Sequence, residues 1–175
     1  MDVPAVTEPA PPPSPAVRGA YLDDNYSLLH VFDVSTATWL GMVTLPTNHS
    51  NTTREVVVHP DQSLAFVSDN QARCIWVVDL NAVGLAAGTN PIPLGVYPGD
   101  LEITPDGRFL LASASPLTVV DIAARAVVST FTGMGQSAVA AGRGGEVVVA
   151  DYSANLVRRM RLSGTVSISP HWAKS

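Results

Sequence analysis

One stretch of this chain is written more than once. His59-Pro60-Asp61-Gln62-Ser63-Leu64-Ala65-Phe66-Val67-Ser68 realigns on Thr104-Pro105-Asp106-Gly107-Arg108-Phe109-Leu110-Leu111-Ala112-Ser113 at an offset of 45 residues. A third, degenerate copy, Gly142-Arg143-Gly144-Gly145-Glu146-Val147-Val148-Val149-Ala150-Asp151, follows a further 38 residues on. A run ending in aspartate repeats with it at Val31-Phe32-Asp33, Val77-Val78-Asp79 and Val119-Val120-Asp121, the aspartates 46 and 42 residues apart. These runs are rich in β-branched and aromatic residues, and Pro, Asp, Asn and Gly break them every 6–10 residues, so they predict strands. Only Asn81 to Ala87 reads as a short helical turn between strands. A unit of about forty residues holding four short strands is the pattern of a β-propeller blade, and the expected fold class is all-β.

The repeat resembles the YVTN-type unit of bacterial β-propellers, roughly V-x-P-D-G-x-x-L-Y-V-x-N, a turn, then V-x-V-I-D. Ile103 to Ala112 with Val119-Val120-Asp121 is the fullest match, Arg54 to Leu80 the second. Gly19 to Asp33 matches only the second half of a unit, and Ser137 to Leu162 lacks the Pro-Asp pair. The resemblance covers about residues 19–168 and implies a seven-bladed ring. Counting strands gives less than a ring: three strands over 19–46, full blades over 54–97 and 101–132, and most of a blade over 137–168. Three and a half to four blades of four-stranded antiparallel sheet are therefore expected, as part of a larger ring, with a compact four-bladed closure as the rival. The unpaired edges at both ends predict pairing with another copy.

Residues 1–17 hold six of the fourteen prolines and predict an extended tail or linker, or an SH3 or WW ligand; 18–169 form the partial propeller and 170–175 a C-terminal tail. The start lacks both a basic segment and an apolar stretch, so no signal peptide is expected, whereas the resemblance implies the periplasm or cell surface. A net charge of −5 argues against nucleic acid as a partner, because phosphate binding needs a basic face. No apolar run reaches the ~18 residues that span a bilayer. The single cysteine, Cys74, excludes an intrachain disulfide and a cysteine-ligated zinc site.

In this topology the loops joining second to third strands share one face with the blade-to-blade connections. That face gathers Asp24, Asn25, Asp69, Asn70, Asp100, Gln136, Asp151 and Tyr152 as candidate contacts for a ligand or partner. Asp24, Asp69 and Asp151 are candidate ligands for Ca²⁺, since hard cations take oxygen donors; the alternative is that Asp and Asn stand there to make hairpin turns. Asp33, Asp79 and Asp121 belong to the opposite face as turn formers. Gly133-Met134-Gly135-Gln136-Ser137-Ala138 fits a dinucleotide pattern, but no helix can follow it before the glycines at 142–145. Arg159 and Arg161 share a strand face that offers either an anion grip or a solvated outer strand. Three sequons begin at Asn25, Asn48 and Asn51. Trp39 and Trp76 are read as packing between blades, and Trp172 as an anchor on the tail.

No nucleophile, acid–base pair or metal triad stands out, and no catalytic residue is assigned. The expected function is a non-enzymatic propeller scaffold that presents its loop-rich face to a protein or small ligand. The resemblance also implies enzymatic alternatives, a lactonase-like hydrolase or a dehydrogenase-associated propeller subunit. A gene fragment without independent function is the third reading.

Overall fold

The structure, a computed structural model, describes residues 16–23, 25–47, 53–133, 138–152 and 154–162, and the backbone of 171–172. The chain is all-β, its one helical element among these residues being a 3₁₀ turn at Arg143–Gly145. Four antiparallel sheets follow one another along the sequence. The first holds β1 (Arg18–Asp23), β2 (Leu28–Asp33) and β3 (Thr38–Thr44). The second holds β4 (Thr53–Val58), β5 (Leu64–Asp69) and β6 (Cys74–Asp79), with two short strands, β7 (Gly84–Leu85) and β8 (Ile92–Pro93), sharing the outer edge of β6. The third holds β9 (Leu101–Ile103), β10 (Phe109–Ala112), β11 (Leu117–Asp121) and β12 (Ala126–Phe131). The fourth holds β13 (Val139–Ala141), β14 (Glu146–Asp151), β15 (Leu156–Arg161) and β16 (His171–Trp172), so the expected tail carries an outer strand.

Side chains alternate across each strand, and the sheets use both faces to stack. Leu29, Val31 and Leu45 of the first sheet pack on Ala65, Val67, Trp76 and Val78 of the second. The other face of the second sheet, with Phe66, Ile75 and Val77, packs on Leu101, Leu110 and Val120 of the third. Leu111, Leu117 and Val119 of the third then meet Val147, Val149 and Met160 of the fourth. Among the described residues the second and third sheets are thus covered on both sides, and the first and fourth on one. Trp76 is 7% exposed, as its inter-sheet reading requires, whereas Trp39 is 56% exposed because the first sheet has no neighbour on that side among the described residues.

Five hairpins share one turn. The Oδ1 atoms of Asp33, Asp69, Asp79, Asp121 and Asp151 accept from the amide three residues on, at Thr36, Ala72, Ala82, Ala124 and Ala154, over 2.9–3.3 Å. The fourth residue after each aspartate (Ala37, Arg73, Val83, Arg125, Asn155) has a positive φ, which closes the loop onto the returning strand. The segment at Asn81 to Ala87 is therefore no helical turn: it is the Asp79 hairpin running into β7. Beyond β7 the Asn90 side chain replaces a strand, donating to the Val77 carbonyl at 2.7 Å and accepting from its amide at 3.0 Å.

The turns joining first to second strands in the second, third and fourth sheets, Pro-Asp turns in the first two of these, place Gln62, Gly107 and Gly145 at φ of 64°, 73° and 79°. In the fourth sheet this turn is one residue shorter. Gly142 donates to the Glu146 carbonyl four residues on, whereas His59 and Thr104 donate to Leu64 and Phe109 five residues on. Strand β14 is consequently aligned 37, not 38, residues after β10: Val147 takes the place of Leu110. A Cβ on Gly145 would overlap the backbone carbonyl oxygen of Leu162, whereas one on Gly95, also at φ +73°, would meet open space. Gly145→Ala is expected to cost about 3 kcal/mol and Gly95→Ala about 1 kcal/mol, because only the first adds backbone overlap to left-handed strain. Urea denaturation midpoints compare the two.

Candidate binding face

The hairpins joining β1 to β2, β5 to β6, β10 to β11 and β14 to β15 lie at one end of the stack, together with the connection over 97–100. Of the expected contact residues, Asp24 and Gln136 lie outside the described residues, as do the loop over 48–52 and most of 133–138. Asn25 is exposed and Tyr152 is 79% exposed. Asp69 and Asp151 are buried, at 0% and 1% exposure, and point inward.

Their bonding explains the burial. Besides capping its hairpin, Asp69 accepts from the Trp76 indole N–H at 3.2 Å, and Asp151 accepts from Arg158 Nε at 2.7 Å. Both partners stand seven residues after the carboxylate, across the same hairpin, where the register pairs Asp69 with Cys74 and Asp151 with Leu156. The register also pairs Asp23 with Leu28, so Asp23, not Asp24, is their counterpart in the first sheet, with His30 in the seventh place. The third sheet lacks the aspartate and turns through Ser113 to Pro116 instead. Aspartate followed at the seventh residue by a side chain with an N–H is a signal the sequence carries and pattern reading passes over.

Other polar groups brace the loops against each other. Asn70 Nδ2 donates to the Pro98 carbonyl at 3.2 Å, and Ser68 Oγ donates to the Gly99 carbonyl at 2.9 Å while accepting from the Glu55 amide at 3.0 Å. Asp100 reaches the next sheet, where its Oδ2 accepts from the Val139 amide at 2.8 Å. The Arg73 guanidinium lies 4.2 Å from the Tyr97 ring centre and hydrogen-bonds its hydroxyl. Glu102, on β9, is a carboxyl the sequence reading missed; burial raises its pKa. Burial also pushes the Cys74 thiol up to about 12, so it stays protonated and is no nucleophile. On this braced platform Tyr26, Tyr97 and Tyr152 stand exposed at 72%, 42% and 79%.

The opposite end carries the Pro-Asp turns. There His59 contacts the Gly107 carbonyl through Nε2 at 2.9 Å and Asp61 through Nδ1 at 2.7 Å, joining the second sheet to the third. The Ser63 hydroxyl and amide hold the Asp61 carboxyl down to about 2, and the Thr104 hydroxyl lowers that of Asp106. A cleft of about 400 Å³ opens beside His59 and Arg125, and another of about 460 Å³ between Asp106 and Arg143, with Arg108 lining both. Among the described residues no three His, Cys, Asp or Glu side chains gather as a metal site would need, and no helix is long and apolar enough to cross a membrane.

No family model matches the chain, and no curated protein matches it in sequence. Solved structures match it in fold. A functionally unknown protein from Desulfotomaculum acetoxidans DSM 771 has a TM-score of 0.68 at 17% identity, over 87% of this chain and 49% of that one. Hydrazine synthase of Kuenenia stuttgartiensis has a TM-score of 0.62 at 19% identity, over 77% and 38%. The dihydro-heme d1 dehydrogenase NirN, in complex with DHE, has a TM-score of 0.65 at 15% identity, over 94% and 37%. At such identities the likeness shows the fold alone. The latter two are β-propeller-type proteins, so the four stacked sheets form a propeller-like arc, with no closed ring among the described residues. The chain spans half or less of the length of the structures it matches.

Proposed function

We propose that this chain is a non-enzymatic propeller scaffold of the YVTN-repeat type, and that it binds a protein partner through the loop end of its sheets. The observation that carries the reading is the trio of exposed tyrosines at this end, Tyr26, Tyr97 and Tyr152, the last two on loops fixed by the Asn70 and Asp151 side chains. Tyrosine gives a large amphipathic contact area at low conformational-entropy cost, and a pre-braced loop loses little freedom on binding. Asn25 and Asp100 belong to the same end, the first as an exposed contact and the second as a brace.

A photocrosslinking residue placed in turn at positions 26, 97 and 152, and at Ala123 on the opposite end, tests the reading in the expressing cell. One protein captured from all three loop positions and absent from Ala123 is the expected result. Capture that does not distinguish the two ends overturns it.

A second reading, support of electron transfer or catalysis, draws on two of the similar structures being a hydrazine synthase and a dihydro-heme d1 dehydrogenase. It asks for a ring larger than this arc, since the chain covers 38% and 37% of those proteins. Lactone hydrolysis or amine-dependent dye reduction by the purified chain favours it over the scaffold.

A further inference from the structure

We infer that two copies of this chain close head to tail, the uncovered face of the fourth sheet in one copy packing on the uncovered face of the first sheet in the other. The argument starts from equivalent positions. Hairpin register aligns Val148 and Val157 of the fourth sheet with Phe66 and Ile75 of the second, which are fully buried against the third sheet. In the fourth sheet these places are still apolar yet 40% and 59% exposed. At the other end of the arc, Tyr21 and Phe32 align with Val67 and Val78, both fully buried against the preceding sheet. Tyr21 pairs with His30 and His30 with Met42, and Phe32 pairs with Trp39, so these side chains share the outward face. Tyr21, Trp39 and Met42 are 61%, 56% and 52% exposed, an apolar surface of a kind that folded monomers seldom leave open.

What covers such a face inside the molecule is the opposite face of a neighbouring sheet, and the described residues leave one copy of each uncovered. The two are also chemically matched. The fourth-sheet face adds Arg159 and Arg161 to its valines, and the first-sheet face offers aromatic rings on which guanidinium groups stack. The chain already uses that contact twice, Arg73 on Tyr97 at 4.2 Å and Arg108 on Phe109 at 4.6 Å. A head-to-tail contact closes into a ring or runs on as a filament. This chain covers 49% of the similar Desulfotomaculum acetoxidans protein, so two arcs supply about one such chain of stacked sheets.

Light scattering during size exclusion of the 175-residue chain tests this. A single species at twice 18.4 kDa is expected. Val157→Glu and Met42→Glu, both at exposed positions, are each expected to halve that mass while keeping the β-type far-UV circular dichroism and a cooperative melt; Val157→Lys and Met42→Lys serve if either glutamate variant fails to fold. A wild-type monomer, as when further blades of a longer chain cover these faces, overturns the inference, as does an open ladder of sizes. A dimer that survives either substitution overturns it too, because a contact between identical faces needs only one of the two.

Discussion

Phe66→Ala is expected to lower the free energy of unfolding by about 3–5 kcal/mol. The ring is fully buried between the second and third sheets, in one cluster with Ile75, Leu101 and Leu110. Those neighbours stand on strands fixed by hydrogen bonds, so they close in on the vacated volume only in part, and cavity cost adds to lost transfer energy. The position recurs three times along the chain, as Phe66, Leu111 and Val148, the first two fully buried and the last 40% exposed. Leu111→Ala is accordingly expected to cost about 2–5 kcal/mol. Val148→Ala, measured in the Val157→Glu background that leaves its face uncovered, should cost less than about 1 kcal/mol. Denaturant midpoints of the three proteins give the comparison; equal losses at 66 and 148 would mean that stacking between sheets does not govern stability.

Arg158→Ala is expected to cost about 3 kcal/mol, nearly as much as the core substitution, although its side chain is 20% exposed. The cost comes from its partner. Asp151 is 1% exposed, and with the guanidinium gone a buried carboxylate keeps its desolvation penalty without the charge that offsets it. The second sheet meets the same need with a neutral donor, the Trp76 indole on Asp69. Arg158→Lys should recover only part of the loss, since a point charge cannot copy the flat Nε–H contact. Arg159→Ala, whose partner Glu146 is itself solvent-facing, should shift stability by less than about 1 kcal/mol. If Arg158→Ala proves as mild as Arg159→Ala, the ion pair does not hold the Asp151 hairpin.

The local features were readable because each is decided within a few residues. Pro60-Asp61 and Pro105-Asp106 mark their turns, and Asp33, Asp79 and Asp121 end their strands and bond the amides that follow. The candidate face was readable as a set of loops but not as a set of side chains. Asp69 and Asn70 are adjacent in sequence, yet one is fully buried on Trp76 and the other braces Pro98. Adjacent strand residues point to opposite faces, and which one meets water depends on strand register across the hairpin. The short turn at Arg143–Gly145 moved β14 by one residue against its repeat, a shift that no comparison of letters favours because the flanking Glu-Val-Val-Val fits either alignment.

The sequence by itself determined the period, the strand-turn grammar and the all-β arc of sheets, because backbone preferences and alternation act locally and recur with every repeat. Only the tertiary structure decided which of the repeated positions are covered. Phe66 and Val148, which hold the same place in their hairpins, end at 0% and 40% exposure, because a sheet in the middle of the stack has two neighbours and a sheet at its end has one among the described residues.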